Sequence, residues 1–285
     1  MHKPNEIEKE EKAMATLVEL TSVFEGIASM RISQIRNQVL IATKFFHELW
    51  HIYSQIRVDE KFHFGRSQPQ LDIIEKELFI IITAEGGFSG DIDQRLVEVM
   101  LKSYDKSKND VVVVGHHGAV QLAQRGVTFK KYFKLPTNDQ SINVTPMTEE
   151  VRKYKSTRVF YQEYVSLLVQ ETRQIPLSAA VKERGAKSSA ADELISESNY
   201  IFEPSAHAVV DHLENSMMQI TLAQVILESK LAQYASRFRA MSAAHEKSEE
   251  TRTDLHLAYN RARRGVKDER LKEIVNGMRK SGVSV

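Results

Sequence analysis

The longest stretch without proline or glycine is the feature that most constrains this chain. It begins at Ser205, directly after Pro204, and ends before Gly265. About 60 residues at about 1.5 Å rise per residue make about 90 Å of helix. A helix of that length needs a partner to bury its apolar face. Its apolar residues recur at spacings of four and three in two runs, which predicts a coiled coil. The first run is Leu227, Leu231, Tyr234, Phe238 and Met241; the pattern fades through His245, Ser248 and Arg252 and resumes with Leu255, Tyr259, Ala262 and Val266.

A second long helix is predicted over residues 14–58, where Gly26 is the only glycine and there is no proline. An apolar stripe runs along it, and two long helices at opposite ends of one chain can pair in antiparallel fashion. The stripe consists of Leu17, Leu20, Phe24, Ile27, Ile35, Val39, Ala42, Phe45, Leu49, Ile52 and Ile56. The aromatic cluster Phe45, Phe46, Trp50 and Tyr53 is dense for a two-stranded seam, so we expect it to dock the helix pair on a globular part.

The segment between the helices, residues 72–204, has the pattern of an α/β domain. Strand and helix signals alternate in it, which favours a parallel sheet with helices on its faces. The signals are a strand at Leu78–Thr83, a helix at Ile92–Tyr104, a strand at Val111–Val114, a helix at His117–Gly126 and a further strand at Arg158–Tyr161.

The predicted organisation therefore has four parts. A charged tail covers residues 1–13, and the N-terminal coiled-coil helix covers 14–58. The α/β domain covers 72–204 and ends in a short strand at Asn199–Pro204. The C-terminal coiled-coil helix covers 205–285, with Ser205 as its N-cap.

Composition excludes several classes of protein. A net charge of +1 argues against a nucleic-acid binder driven by bulk electrostatics. The absence of cysteine excludes disulfides, thiolate zinc sites and a cysteine nucleophile. No uninterrupted apolar run approaches the length of a membrane span, and the charged N-terminus does not resemble a signal peptide. We therefore expect membrane association only through partners.

The glycine-rich turn from Glu85 to Asp91 is the strongest candidate for ligand chemistry, but its pattern is weak. It lacks the phosphate-loop and dinucleotide spacings, and the carboxylates of Glu85, Asp91 and Asp93 would repel an anion. A hard cation would need further oxygen ligands around those carboxylates. The adjacent His116 and His117 lack metal-ligand spacing. We expect a tight structural turn, with no catalytic, cofactor-binding or metal residue.

The C-terminal end of the chain is a basic tip. It carries Arg261, Arg263, Arg264, Lys267, Arg270 and Lys272, interspersed with Asp268, Glu269 and Glu273. Such a mixture is either a solvated helix face with ion pairs at i, i+4 or a contact surface for carboxylates of a partner. Composition alone does not choose between these alternatives.

Several motifs together resemble the gamma subunit of F-type ATP synthases. The C-terminal run from Asp254 to Arg264, followed by Lys272 to Gly277, is the most specific match. Segments similar to the family also lie at Ile82–Asp93, Tyr161–Pro176, Tyr200–Pro204 and Leu227–Arg237. The resemblance is good from Leu78 to Gly277, apart from connectors, and weaker in the first helix.

The resemblance implies a long antiparallel coiled coil of the two terminal helices and a small central α/β (Rossmann-like) domain. It implies a non-catalytic rotor shaft that couples rotation of the membrane ring to ATP synthesis or hydrolysis. The implied partners are the alpha and beta subunits, the epsilon subunit and the membrane c-ring, at the cytoplasmic face of the cell membrane.

Two sets of contact residues are carried over from the family. Asn260, Arg261 and Arg263 match tip positions that meet the alpha/beta ring, and Arg264 stands where the family commonly has glutamine. The foot positions, near the rotor ring and epsilon, are Tyr200, Phe202 and Glu203.

The chain departs from the family in its first helix, which has fewer cations, and in its turn. The family sequence Arg-Gly-Leu-Cys-Gly-Gly-Leu-Asn appears here as residues 86–93, ending in Asp93. We therefore expect a divergent gamma subunit. Two other functions stay open from the residues alone, namely a small-ligand enzyme using the Glu85–Asp93 turn and a static coiled-coil adaptor.

Overall fold

The computed structural model describes residues 4–55, 73–136, 142–177, 203 and 205–280. Two helices dominate it. Helix α1 spans Pro4–Gln55, with 52 residues. The last helix, α5, spans Ala206–Lys280, with 75 residues. Ser205 caps α5 as predicted, because its Oγ accepts a hydrogen bond from the backbone N–H of Ala208 at 3.2 Å.

The other elements form the α/β domain. In chain order they are β1 (Ile74–Ile82), α2 (Ile92–Ser103), β2 (Asn109–Val114), α3 (His116–Gln124), β3 (Lys131–Phe133), α4 (Thr145–Val151), β4 (Tyr154–Tyr164) and β5 (Gln170–Pro176). They confirm the predicted alternation of strands and helices. β1 begins earlier than the apolar run because its backbone already pairs with β4 at Ile74 and with β2 and β4 at Glu77. Glu75 and Glu77 also form ion pairs with Lys155 and Arg158 of β4.

The five strands form one mixed sheet in the order β3-β2-β1-β4-β5. β1 pairs in parallel with both β2 and β4, and β2 pairs in parallel with β3. The expectation of a parallel sheet is therefore correct for four strands and wrong for β5, which pairs antiparallel to β4 from Arg158↔Pro176 to Tyr164↔Gln170. The reason is the short connection after Tyr164, which allows a hairpin and leaves no room for a crossover helix.

Both faces of the sheet are covered. On one face, Leu96 and Met100 of α2 and Leu122 of α3 pack on Phe79 and Phe160. On the other, α4 and α5 supply apolar side chains, which include Met147, Val151, Leu222, Val225 and Ile226. Because successive residues of β1 point to opposite faces, Ile80 and Ile82 belong to the second cluster while Phe79 and Ile81 belong to the first.

The chain forms two compact units, each with its own pairing of the long helices. In the unit Met1–Ile27 with Phe238–Val285, Thr21 lies beside His245 and Glu11 beside His256. In the unit Ala28–Arg237, Ile35 packs on Leu231, and Tyr53 donates a hydrogen bond to Glu214. In both units residue numbers rise along α1 as they fall along α5, so the helices pair antiparallel.

The face of α1 that meets α5 agrees only in part with the predicted stripe. Ile7, Thr21, Ala28 and Ile35 are buried at multiples of seven residues, and Phe46 is buried further on. Members of the predicted stripe are exposed instead; they are Leu17, Leu20, Ile27, Phe45 and Ile52. The prediction was wrong for these five residues and correct for Ile35, Val39 and Leu49, which pack against α5. The five were misplaced because the seam also uses Thr21 and Ala28, which carry little apolar signal.

The aromatic cluster of α1 also has a different partner from the one expected. Phe46, Trp50 and Tyr53 pack with Met217 and Ile220 of α5. Within the described residues, this cluster contains side chains of the two long helices alone. It therefore joins helix to helix and does not dock them on the sheet.

By length and composition, one helix of the described residues, Pro4–Tyr53, is long and apolar enough to cross a membrane. This differs from the expectation drawn from uninterrupted apolar runs. A single such helix near the N-terminus is weak evidence of a span, and it packs against α5 through Ile35 and Phe46.

Some expectations lie outside the described residues. They concern the loop 59–72, the connector from residue 178 onward and the strand Asn199–Pro204, of which only Glu203 is described. The four domain boundaries stay predictions.

Candidate functional site

The glycine-rich turn between β1 and α2 is bound to helix α5 by hydrogen bonds. The Arg237 guanidinium donates to the carbonyl oxygens of Gly87 at 3.1 Å and Gly86 at 3.2 Å. Ser236 Oγ donates to the carbonyl oxygen of Ser89 at 2.8 Å. The same guanidinium lies 5.0 Å from the ring centroid of Tyr234, a cation–π contact that holds it in place. The turn is therefore a docking element for α5.

The carboxylates of the turn are occupied by partners within the chain. Glu85 accepts hydrogen bonds from the backbone N–H groups of His116 and Leu135 and from the Tyr132 hydroxyl, each at 3.2 Å. Such an arrangement ties the end of β1 to the segments that follow β2 and β3. It supports the structural interpretation of the turn and weighs against a ligand site there.

Asp93 lies in the first turn of α2 and is almost fully buried. Its carboxylate accepts hydrogen bonds from the backbone N–H of Ala84, from Gln162 Nε2 at 2.8 Å and from His117 Nδ1 at 3.1 Å. A buried carboxylate is tolerated when donors surround it in this way. The hydrogen bond to Asp93 is the main reason that the pKa of His117 is raised.

Gln162, at the end of β4, extends this network to helix α5. Its amide nitrogen donates to Asp93, and its amide oxygen accepts from Ser229 Oγ and from Gln233 Nε2. The carbonyl oxygen of Ile82, 3.4 Å from Ser229 Oγ, is a second and more distant acceptor for the same hydroxyl proton. Gln162, Ser229 and Gln233 are all buried. Sequence reasoning missed these three residues, although the polar types of Ser229 and Gln233, at i and i+4 of α5, were visible.

No group of three or more His, Cys, Asp or Glu side chains that could hold a metal ion occurs in residues 4–55, 73–136, 142–177, 203 and 205–280. The ring of His117 bonds to Asp93 of α2, while His116 is exposed, so the two histidines do not converge.

The basic tip lies at the far end of α5. Arg261, Arg263 and Arg264 are exposed, and Asn260 is half-buried. The Arg263 guanidinium contributes to lowering the pKa of Glu8 on α1, after the larger effects of the hydrogen bond and charge of Lys12. At the proposed foot, Glu203 is exposed, whereas Tyr200 and Phe202 lie outside the described residues.

Comparison with known proteins gives one consistent result. Residues 3–279 match the family described as ATP synthase. The ATP synthase gamma chain of Chlorobium phaeobacteroides (strain BS1) is 23% identical over 286 residues, covering 93% of this chain and 94% of that protein. That of Desulfitobacterium hafniense (strain DSM 10664 / DCB-2) is 24% identical, covering 97% and 98%.

Solved structures show the same fold. A chain of the Euglena gracilis mitochondrial ATP synthase, OSCP/F1/c-ring, aligns with a TM-score of 0.63 at 14% identity, covering 99% of this chain and 97% of that chain. A chain of the Tetrahymena thermophila mitochondrial ATP synthase central stalk/c-ring aligns with a TM-score of 0.55 at 14% identity, covering 79% and 99%. The chain therefore belongs to the ATP synthase family, whose gamma chains form the non-catalytic central stalk of a membrane-associated complex.

Proposed function

We propose that this chain turns as the central shaft of an F-type ATP synthase and couples rotation of a membrane c-ring to ATP synthesis or hydrolysis. Its tip would turn inside a ring of alpha and beta subunits, and its foot would rest on the c-ring with an epsilon subunit. The similar structures come from an ATP synthase rotor, an OSCP/F1/c-ring assembly and a central stalk/c-ring, which supports this assembly. The complex would lie at the cytoplasmic face of the cell membrane.

The observation that carries the proposal is the exposed end of α5. Residues 266–280 are helical and exposed throughout. Apolar side chains at helical spacing are exposed on this end of the single chain; they include Leu271, Ile274 and Val275. A helix with such a stripe is stable when a partner surrounds it. A sleeve of alpha and beta subunits would do so.

An apolar stripe on α1 supports the same partner. Leu17, Leu20, Val23 and Ile27 follow helical spacing and are exposed in the unit that contains the two chain ends. Contiguous exposed apolar residues mark interaction surfaces. This stripe would face the inner wall of the ring.

The tip arginines would make contacts that break and re-form as the shaft turns. Arg261, Arg263 and Arg264 are exposed, so their guanidinium groups are available to carboxylates of a surrounding ring. Asn260 would add a neutral hydrogen-bonding group beside them. Tyr200, Phe202 and Glu203 are proposed as the foot contacts with the c-ring and epsilon.

The decisive experiment changes Arg261 and Arg263 together to glutamine in the assembled complex. A shaft should lose ATP hydrolysis and ion pumping while the complex still assembles, because charge-assisted contacts with the ring are removed. The matched control replaces two exposed cations lower on the same helix, Lys247→Gln with Arg252→Gln, and should retain both activities. Loss of assembly with normal turnover in whatever assembles would favour a static adaptor.

The enzyme alternative is tested on the isolated chain. Calorimetry with nucleotides and divalent cations should show no binding at the turn, since Glu85 and Asp93 are already bonded within the chain. Binding that Gly87→Ala abolishes, or nucleotide hydrolysis by the pure chain, would contradict the shaft.

A further inference from the structure

One face of helix α5 changes from apolar to polar as it crosses the α/β domain. Its first part, with Leu222, Val225 and Ile226, packs on the sheet. Apolar contacts of this kind have no preferred direction, so they hold the helix down without setting its rotation about its own axis. Close packing of these side chains resists large displacements, but directional bonds are needed to fix the rotation of the helix more sharply.

The next two turns of that face are polar. Ser229, Gln233, Ser236 and Arg237 follow each other at i, i+4, i+7 and i+8, so they lie on one side of the helix. Each donates at least one hydrogen bond to the α/β domain or to its glycine-rich turn. Three of the four are buried, where competition from water is low.

The acceptors of these bonds lie on rigid parts of the domain. Gln162 belongs to β4 and is itself held by Asp93, which accepts from the backbone at the end of β1. Because hydrogen bonds weaken steeply when they bend, this chain of bonds resists rotation of α5 in both directions. The polar face is therefore fixed to the centre of the sheet.

A buried lysine holds α5 to another part of the domain. Lys230 is 3% exposed, and its ammonium group donates to the carbonyl oxygen of Pro136 at 2.6 Å. Pro136 follows β3, at the opposite edge of the sheet from the hairpin of β4 and β5. Because Pro136 and Gln162 lie on separated parts of the domain, bonds to both of them resist rotation of α5 about its axis.

We propose that Ser229, Lys230, Gln233, Ser236 and Arg237 form a torsional joint that fixes the rotation of α5 relative to the α/β domain. This inference rests on the proposed function, because it matters for a shaft that transmits torque between its helices and its foot. The five residues position α5, so that rotation of the domain becomes rotation of the helix.

The test uses the complete complex carrying the pair Gln162→Leu with Ser229→Ala, which removes the central bonds and keeps side-chain volume. Torsional stiffness of the shaft is measured from the fluctuations of a bead on the immobilised complex, together with ions pumped per ATP hydrolysed. Losing several directional bonds should lower the stiffness at least about twofold and reduce the pumping ratio.

Two controls separate a joint from general destabilisation. Gln174→Leu on exposed β5 with Ser248→Ala on α5 makes the same chemical changes away from the joint. Leu122→Ala leaves a cavity in the cluster on the opposite face of the sheet, so it lowers stability without changing a contact of α5. Both controls should keep normal stiffness. If the pair prevents assembly, Ser229→Ala alone should still soften the shaft.

The outcomes are distinct. Unchanged stiffness in the joint variants, or equal softening by Leu122→Ala, would overturn the joint while leaving the shaft intact. The unmodified complex is measured first, and failure of its bead to rotate with ATP would overturn the proposed function itself.

Discussion

The Nδ1 atom of His117 lies 3.1 Å from Oδ2 of Asp93, so an exposed edge of α3 is bonded to a buried carboxylate of α2. This hydrogen bond is the largest cause of the raised pKa of His117, followed by burial, which opposes it, and by the charge of Asp93. Arg237 acts to lower that pKa and Glu85 to raise it. The ring donates the bond, since a carboxylate can only accept.

A pH dependence of stability follows. Because the pKa of His117 is higher in the folded chain, its contribution is fully present below the unfolded pKa of about 6.5 and is lost as pH rises through the folded pKa. Asp93→Asn should remove that contribution. We expect Asp93→Asn to lower the free energy of unfolding, relative to the unmodified chain, by more at about pH 5.5 than at about pH 8.5.

Urea unfolding of the full chain at both pH values measures this difference, with His116→Gln as the control because its ring is exposed. An equal loss of stability at both pH values would show that the bond to His117 carries no charge-dependent energy.

Two adjacent phenylalanines of α1 should respond oppositely to truncation. Phe46 is 1% exposed and packs on Met217, whereas Phe45 is 56% exposed. Phe46→Ala should destabilise the chain by about 3–5 kcal/mol through lost burial and the cavity left behind. Phe45→Ala should change the free energy of unfolding by about 0.5 kcal/mol or less. Chemical unfolding measures both, and a similar cost for the two would contradict the observed face of α1.

Glycine is required at position 115 for two reasons, the left-handed backbone conformation and the close approach of Thr83. Its φ is +96°, and a Cβ atom there would lie 2.1 Å from the carbonyl oxygen of Thr83. Gly115→Ala should cost on the order of 3 kcal/mol, since β1 and β2 would have to separate. Gly87→Ala is the matched control, because nothing lies within 4 Å of its added Cβ. Thermal unfolding should show a clear fall for the first variant and little change for the second.

Gly26 offers a stabilising substitution. It lies inside α1 with nothing within 4 Å of an added Cβ. Gly26→Ala should stabilise the chain by about 0.5–1 kcal/mol, because alanine has less backbone entropy to lose in a helix. A raised unfolding midpoint with unchanged circular dichroism is the expected result. A lowered midpoint would mean that α1 needs flexibility at this position.

The site could be predicted only in part. The glycines and carboxylates of the turn were visible, and their structural role followed from missing phosphate-loop spacing. The partners of the turn were not visible, because Arg237 and Gln162 are distant from it in sequence and their side chains carry no motif of their own. Hydrogen bonds across such separations depend on how the elements pack.

The sequence by itself determined the two long helices, the alternating strands and helices of the α/β domain and the cap at Ser205. These features depend on local periodicity, on apolar runs and on the positions of proline and glycine, all of which are short-range. Only the tertiary structure decided which face of α1 meets α5, since the seam contains Thr21 and Ala28 while more apolar residues face outward. It also decided the antiparallel direction of β5 and the polar attachment of α5 to the sheet, because such choices are made by packing and hydrogen bonding between segments far apart in the chain.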